Sequence, residues 1–295
     1  MHLLLAGIGA IVVGTGDFIG GTAARRDHPR SVAILGFIVG TLLLAAIVPF
    51  GGGSPTAADL GWSAVSGVGA AVGVFTLYRG FQRAPMGLVA PIAAVIGGAI
   101  PVVGGLAAGE SVTTAAGFGL LAGAAAVVLV SRPARANAAA GGPDAESDAA
   151  SDAEAARRAQ LSGIGHGVAT GIAFGVLLLA LAYVGDDAGY VPVLVSRITS
   201  TTLLIAHALA TGWSLFPVRA ARPLAALAGV LTSLGGLLYF LAISVGPVLE
   251  SAAVYALFPA STVVLAWAIH RERLSLAQIV GVTLALVATV LLSIG

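Results

Sequence analysis

This 295-residue chain has no cysteine and no lysine, and only 9% of its residues are charged. The missing thiols exclude disulfides, thiolate metal sites and cysteine nucleophiles. The scarcity of charge excludes an ordinary soluble domain, which carries roughly 25% charged residues. Arginine supplies all 14 basic side chains and 13 acidic ones nearly balance them, so the net charge of +1 offers no basic field to nucleic acid. With the excess of Ala, Gly and Val, the replacement of every lysine by arginine reads as codon usage. There is no Gly-x-x-x-x-Gly-Lys phosphate loop, no His-Glu-x-x-His and no paired-Asp motif within an apolar stretch. No cofactor or metal site is therefore expected, and any ATP-driven work would need a separate subunit.

What is present is apolar sequence: 58% hydrophobic residues and a mean hydropathy of +1.02. About 20 apolar residues cross the roughly 30 Å hydrocarbon core of a bilayer. Stretches of that length fall at 3–22, 32–50, 61–82, 87–107, 113–131, 162–183, 190–211, 223–245, 250–269 and 275–294, ten in all. No basic region precedes Leu3, and the first stretch exceeds the apolar core of a signal peptide, so it reads as a first span.

The two halves echo each other at an offset of 162 residues: Pro85 falls on Pro247, Ala90 on Ala252, Glu110 on Glu272, Ala115 on Ala277, Gly119 on Gly281. With five spans in each half, an odd number, the second copy must lie upside down in the bilayer. The expected fold is an all-α membrane protein of ten transmembrane helices in two inverted five-helix repeats, 1–131 and 161–295. Between them, 132–160 has no aromatic or branched aliphatic residue and is expected to be a flexible hydrophilic linker. Glycines four apart within spans (Gly36 and Gly40, Gly69 and Gly73, Gly119 and Gly123, Gly171 and Gly175) predict close helix crossings.

Arginines gather in loops after odd-numbered spans: Arg25, Arg26 and Arg30, then Arg83, then Arg132, Arg135, Arg157 and Arg158, then Arg219 and Arg222, then Arg271 and Arg273. The opposite side has Asp59, Glu110, Asp186, Asp187 and Glu250 instead. The positive-inside rule then puts both termini outside.

A charge inside a span costs roughly 2.5 to 3.5 kcal/mol on insertion scales and needs a partner or a wet cavity. Asp17, Arg79, Arg197 and Glu250 are the four candidates. By depth, Asp17 with Arg79 and Arg197 with Glu250 are expected as two clusters at opposite ends of a cavity. Snorkelling to the interface is the commoner role for Arg79 and Glu250. Tyr78, Gln82, Tyr239 and Tyr255 are further candidates for the route, since a mid-span hydroxyl or amide needs water or a partner. Tyr183 and Tyr190 fit interface anchors, and His166 and His207 satisfied structural histidines. Prolines at 85, 91, 101, 247 and 259 nominate spans four and nine as cavity-lining helices.

The run Ala84-Pro85-Met86-Gly87-Leu88-Val89-Ala90-Pro91-Ile92 with Gly109-Glu110, and its partner Gly246-Pro247 with Arg271-Glu272-Arg273-Leu274, resembles the EamA-domain family of the drug/metabolite transporter superfamily. Gly16-Asp17-Phe18-Ile19-Gly20-Gly21 is similar to the first span of one branch of that family. The first copy departs from the pattern by carrying Ser111 where a basic residue commonly follows the Glu. The resemblance covers all but the linker and implies a ten-helix carrier of small metabolites with a cavity between two EamA repeats. It also implies a multi-pass protein of a prokaryotic plasma membrane, driven by a proton or sodium gradient, with homo-oligomerisation permitted but not required. Charges of both signs beside tyrosines suit a polar, amino-acid-like substrate, and export is the expected direction. A membrane-embedded enzyme or a structural membrane protein that moves nothing are the alternatives. On the positive-inside orientation, protease added to intact cells leaves 132–160 uncut; cleavage there would overturn it.

Overall fold

The computed structural model describes residues 1–107, 114–130, 143–246, 251, 254–255, 258–271 and 275–293. Among these there is no strand. The helices are α1 (His2–Ala24), α2 (Pro29–Ile47), α3 (Ala57–Arg83), α4 (Met86–Ala107), α5 (Thr114–Val130), α6 (Pro143–Ala182), α7 (Val191–Ala210), α8 (Arg222–Ser244), α9 (Phe258–His270) and α10 (Leu276–Ser293). Six stretches are long and apolar enough to cross a membrane: His2–Ala24, Pro29–Phe50, Ala57–Arg83, Ala153–Ala182, Val191–Ala210 and Arg222–Ser244. Shorter apolar helical stretches occupy the other expected spans, at Met86–Ile100, Gly117–Ala126, Ser261–His270 and Leu276–Ala288.

Local chemistry sets the helix starts. Thr56 and Asp59 form a capping box on α3, with the Thr56 hydroxyl accepting from the Asp59 amide at 3.2 Å and the Asp59 carboxylate accepting from the Thr56 amide at 2.8 Å. The second Asp59 oxygen accepts from the Gly185 amide at 2.8 Å, which ties α3 to the α6–α7 turn. Ser275 and Gln278 repeat the box on α10. At α2 the His28 side chain caps and Pro29 opens the helix, where a missing N–H costs nothing.

The stretch expected as a flexible linker differs from that expectation where it is described: 143–160 form the leading turns of α6, continuous with the sixth span. The reason is composition of another kind, since Ala, Glu and Arg are strong helix formers. Glu154 adds pairs with Arg158 at 2.9 Å and Arg157 at 3.8 Å on the exposed face.

Packing is inverted relative to a soluble protein. Leu4, Ile11, Leu42, Leu121 and Trp267 are exposed, while the buried positions are rich in Ala, Gly and Ser. Lipid is as apolar as leucine, so large side chains gain nothing by facing inward, and small residues let backbones touch. α1 packs along α8, and α6 along α3; α2 packs along α8, and α7 along α3; α4 packs on α6, and α9 on α1. Each pairing has a counterpart in which the two halves of the chain trade places, while α2 with α7 and α5 with α10 are their own counterparts. Three of the four glycine pairs stand at these crossings. Gly36 and Gly40 face Gly229 and Ser233 of α8; Gly69 and Gly73 face Ala173, Leu177 and Phe174 of α6; Gly171 and Gly175 face Ile96 and Ile100 of α4. Hydroxyls add interhelical bonds, Ser200 to the Gly67 carbonyl at 2.7 Å and Thr262 to the Gly14 carbonyl at 2.9 Å.

A Cβ on Gly229 would strike the backbone of Gly36, which cannot swing aside. Gly229→Ala is therefore expected to destabilise by about 1 to 3 kcal/mol, seen as a lower melting temperature in detergent. Gly61→Ala, with nothing within 4 Å, serves as the neutral control.

Candidate functional site

The bundle encloses a cavity of about 140 Å³. Asp17 from α1 and Arg197 from α7 bring opposite charges to it, and Phe37, Phe174, Tyr239, Phe240, Tyr255 and Phe258 wall it with aromatic surface. Ser66, Ser196 and Thr232 supply hydroxyls, with the Ser66 and Ser196 oxygens 3.3 Å apart. Asp17 is only 3% exposed. Arg197 places its guanidinium 5.0 Å from the centre of the Phe37 ring, a cation–π contact that orients the fork while leaving its charge available. Arg197 is the cation that acts electrostatically on Asp17, and Tyr78 and Tyr255 lie in the field of both. Tyr239 and Tyr255 stack at 4.4 Å with 27° between their rings, and Tyr255 continues to Phe258 at 6.0 Å.

The cavity reaches from Asp17 to Leu181 at the end of α6 and Val193 at the start of α7. The other end of the bundle, where the arginines lie, is shut. Phe18, Phe81, Met86 and Ile34 are buried there, and the space below Asp17 narrows to about 10 Å³. Polar contacts tie that end together, those of His270 across the two halves and those of Arg25 and Gln82 between the ends of α1 and α3 in the first half. The Thr22 hydroxyl meets His270 at 3.1 Å, His270 packs edge-on to Phe18 at 4.9 Å, the Arg25 Nε donates to the Phe81 carbonyl at 3.0 Å and Gln82 donates to the Ala24 carbonyl at 3.1 Å.

The expected pairs are rearranged. Asp17 faces Arg197, not Arg79. Successive helical residues point about 100° apart, and Tyr78 is turned toward α1, where its hydroxyl abuts Gly20. Arg79 must then look away from Asp17, and its guanidinium lies 5.9 Å from the Phe75 ring with Arg30 and Arg83 as charged neighbours. Glu250, expected opposite Arg197, lies outside the described residues. Tyr239 and Tyr255 do line the cavity, and Tyr78 lines a side space shared with Arg197. Gln82 is exposed and spends its amide on the end of α1. Among the described side chains, span four does not line the cavity: those of α4 reach only the narrow space below Asp17, and α6 covers the flank of α4 through Gly167, Gly171 and Gly175. From the ninth expected span, Tyr255 and Phe258 contribute. His166 bonds the Ser162 carbonyl at 2.7 Å, and Tyr183 stacks on Trp62 at 4.7 Å, both structural roles.

Sequence reasoning missed Phe37, Ser66, Phe174, Ser196, Thr232, Phe240 and Phe258. A phenylalanine in an apolar span carries no signal of the side it faces, and only the mid-span hydroxyls of Ser66 and Ser196 hinted at a wet or paired position.

Residues 161–294 match the model of the EamA-like transporter family. A solved structure described as "Crystal structure of protein" shares 19% sequence identity, covers 98% of this chain and 95% of its own, and superposes with a TM-score of 0.60. It is similar in fold. No curated protein matches the chain.

Because the chain has no native cysteine, Thr232→Cys is expected to react with a water-soluble methanethiosulfonate reagent through the cavity. Ala288→Cys, at a fully buried position outside the cavity lining, should not. Equal protection of both would mean the cavity is sealed from water.

Proposed function

We propose, from the match of residues 161–294 to the EamA-like transporter family, that this chain is an EamA-domain transporter of the drug/metabolite transporter superfamily that moves a small zwitterionic, amino-acid-like metabolite out of the cell by alternating access. The observation that carries the reading is the pair Asp17 and Arg197, opposite charges brought to one aromatic-walled cavity. A guanidinium holds a carboxylate through a two-pronged hydrogen bond, and a carboxylate holds an ammonium. A substrate carrying both groups would neutralise both walls at once and lose little by leaving water. A monovalent cation or anion would leave one buried charge uncompensated, which is expensive in low dielectric.

Alternating access needs two similar halves that rock about a central site. The exchange of helix pairings between the halves supports such a pair of inverted five-helix repeats. The arginine-bearing end, placed in the cytoplasm by the positive-inside rule, is the shut one, so the described state is the outward-facing one. Opening inward would break the contacts of His270 with Thr22 and Phe18, which join the two halves at that end. A proton or sodium gradient across the plasma membrane is the proposed energy source.

The test is transport by the purified chain in proteoliposomes against a panel of amino acids and related metabolites, with and without an imposed gradient. Asp17→Asn and Arg197→Gln are each expected to weaken transition through the site by about 2 kcal/mol or more, roughly thirtyfold in kcat/KM. Gln82→Ala, outside the cavity, should retain the substrate's KM. A panel in which no zwitterion moves, or in which both charge variants transport like the wild type, would sink the reading.

A further inference from the structure

One cluster of charge has no part in the cavity. At the arginine-bearing end, Arg30 near the start of α2 stands with Arg79 and Arg83 at the end of α3, and the charged neighbours of Arg79 are Arg83 and Arg30. The Arg30 guanidinium lies 5.2 Å from the Phe75 ring centre and 5.0 Å from the Trp213 ring, while Arg79 shares the same Phe75 ring at 5.9 Å. Aromatic faces thus hold two cations side by side that would otherwise repel.

Among the described residues, no carboxylate pairs with them. The Nε of Arg30 is buried and has no hydrogen-bond partner. Asp27, on the same turn, turns both oxygens to backbone, Oδ1 to the His28 amide and Oδ2 to the Val218 amide. Among the described residues, no ion pair or hydrogen bond engages the side chain of Arg79 or Arg83. His28 reports the surplus: burial and then the charges of Arg30 and Arg79 hold it below the usual histidine range, with only Asp27 opposing.

The place is assembled across the two halves of the chain. Asp27 and Ser31, whose hydroxyl donates to the Ser214 carbonyl at 2.7 Å, strap the α7–α8 loop onto the start of α2. That strap sets Trp213 over Arg30 and against His28, whose ring lies 4.3 Å away. Trp213 remains 45% exposed, the posture of an aromatic at a membrane–water interface.

We infer that Arg30, Arg79 and Arg83, walled by Phe75 and Trp213, bind a phosphate-bearing anion at the membrane surface, either the headgroup of an anionic phospholipid or a free phosphate. Guanidinium forks match tetrahedral phosphate oxygens in pairs, and an oxygen reaching Arg30 would satisfy the buried Nε that the protein leaves unpaired. Ordinary surface charge, as at Arg26 and Arg219, has neither the stacking nor the orphan donor. The inference does not depend on what the cavity carries.

The test uses the full chain purified in detergent, followed by thermal unfolding and native mass spectrometry in the presence of phosphatidylglycerol, phosphatidylcholine or inorganic phosphate. The wild type should retain and be stabilised by phosphatidylglycerol but not phosphatidylcholine if the source is lipid. Stabilisation by inorganic phosphate alone identifies the soluble source of the same chemistry. Either shift should vanish in R30Q/R79Q and persist in R26Q/R219Q, which removes the same charge from the same face. A wild type that prefers neither phosphatidylglycerol nor phosphate overturns the inference without any variant. So does an equal loss in the two double variants, since general surface charge would then suffice.

Discussion

Inside a bilayer, helices gain nothing by hiding leucine from the surrounding hydrocarbon, and that constraint governs the whole molecule. Association must come from close contact, so the crossings are made where the sequence offers glycine, alanine and serine, as at Gly36 against Gly229 and Gly67 against Ser196. Because α1 and α2 lie this close to α8, and α3 this close to α6 and α7, six helices come near enough to surround one space. The large side chains, released from packing duty, face outward at most positions. Among those that point inward, Phe37, Phe174, Tyr239, Phe240, Tyr255 and Phe258 wall the cavity.

The charges follow from the same packing. Tight backbone contact leaves no room for long polar side chains at the crossings, so Asp17 and Arg197 survive in the interior only by facing the cavity. Both line one cavity, where a ligand carrying both charges could meet each of them. The arginine-bearing end shows the complementary case. There the surplus cations are steadied by Phe75 and Trp213 rather than by carboxylates, because Asp27 is committed to tying two loops together. One end of the bundle is thus electrostatically unfinished on the surface, and the centre is unfinished toward the cavity.

Much of this was legible in the chain. Length and spacing of apolar runs locate the helices to within a few residues at most ends, the glycine spacing anticipated three of the close crossings, and Asp17, Arg197, Tyr239 and Tyr255 were nominated from the cost of polarity within a span. The pairing of Asp17 was not legible. Depth along a helix can be counted, but the direction in which a side chain points depends on the neighbour its helix finds, and Tyr78 took the α1-facing position that Arg79 would have needed. Residues 143–160 illustrate a second limit, since a low-apolar composition that argues against a packed fold does not argue against a single extended helix carried by its continuation into a span.

By itself, then, the amino-acid order determined that this is a helical membrane protein, where its apolar helices run, and which side collects arginine, because each of these depends on local composition and the bilayer as solvent. Only the tertiary structure decided that Asp17 and Arg197 share one cavity, that phenylalanines from α2, α6, α8 and α9 close around them, and that Arg30 and Arg79 share one ring. Those are contacts between segments far apart in the chain, and they are set by how closely backbones can approach, a property of pairs of helices that no single helix carries.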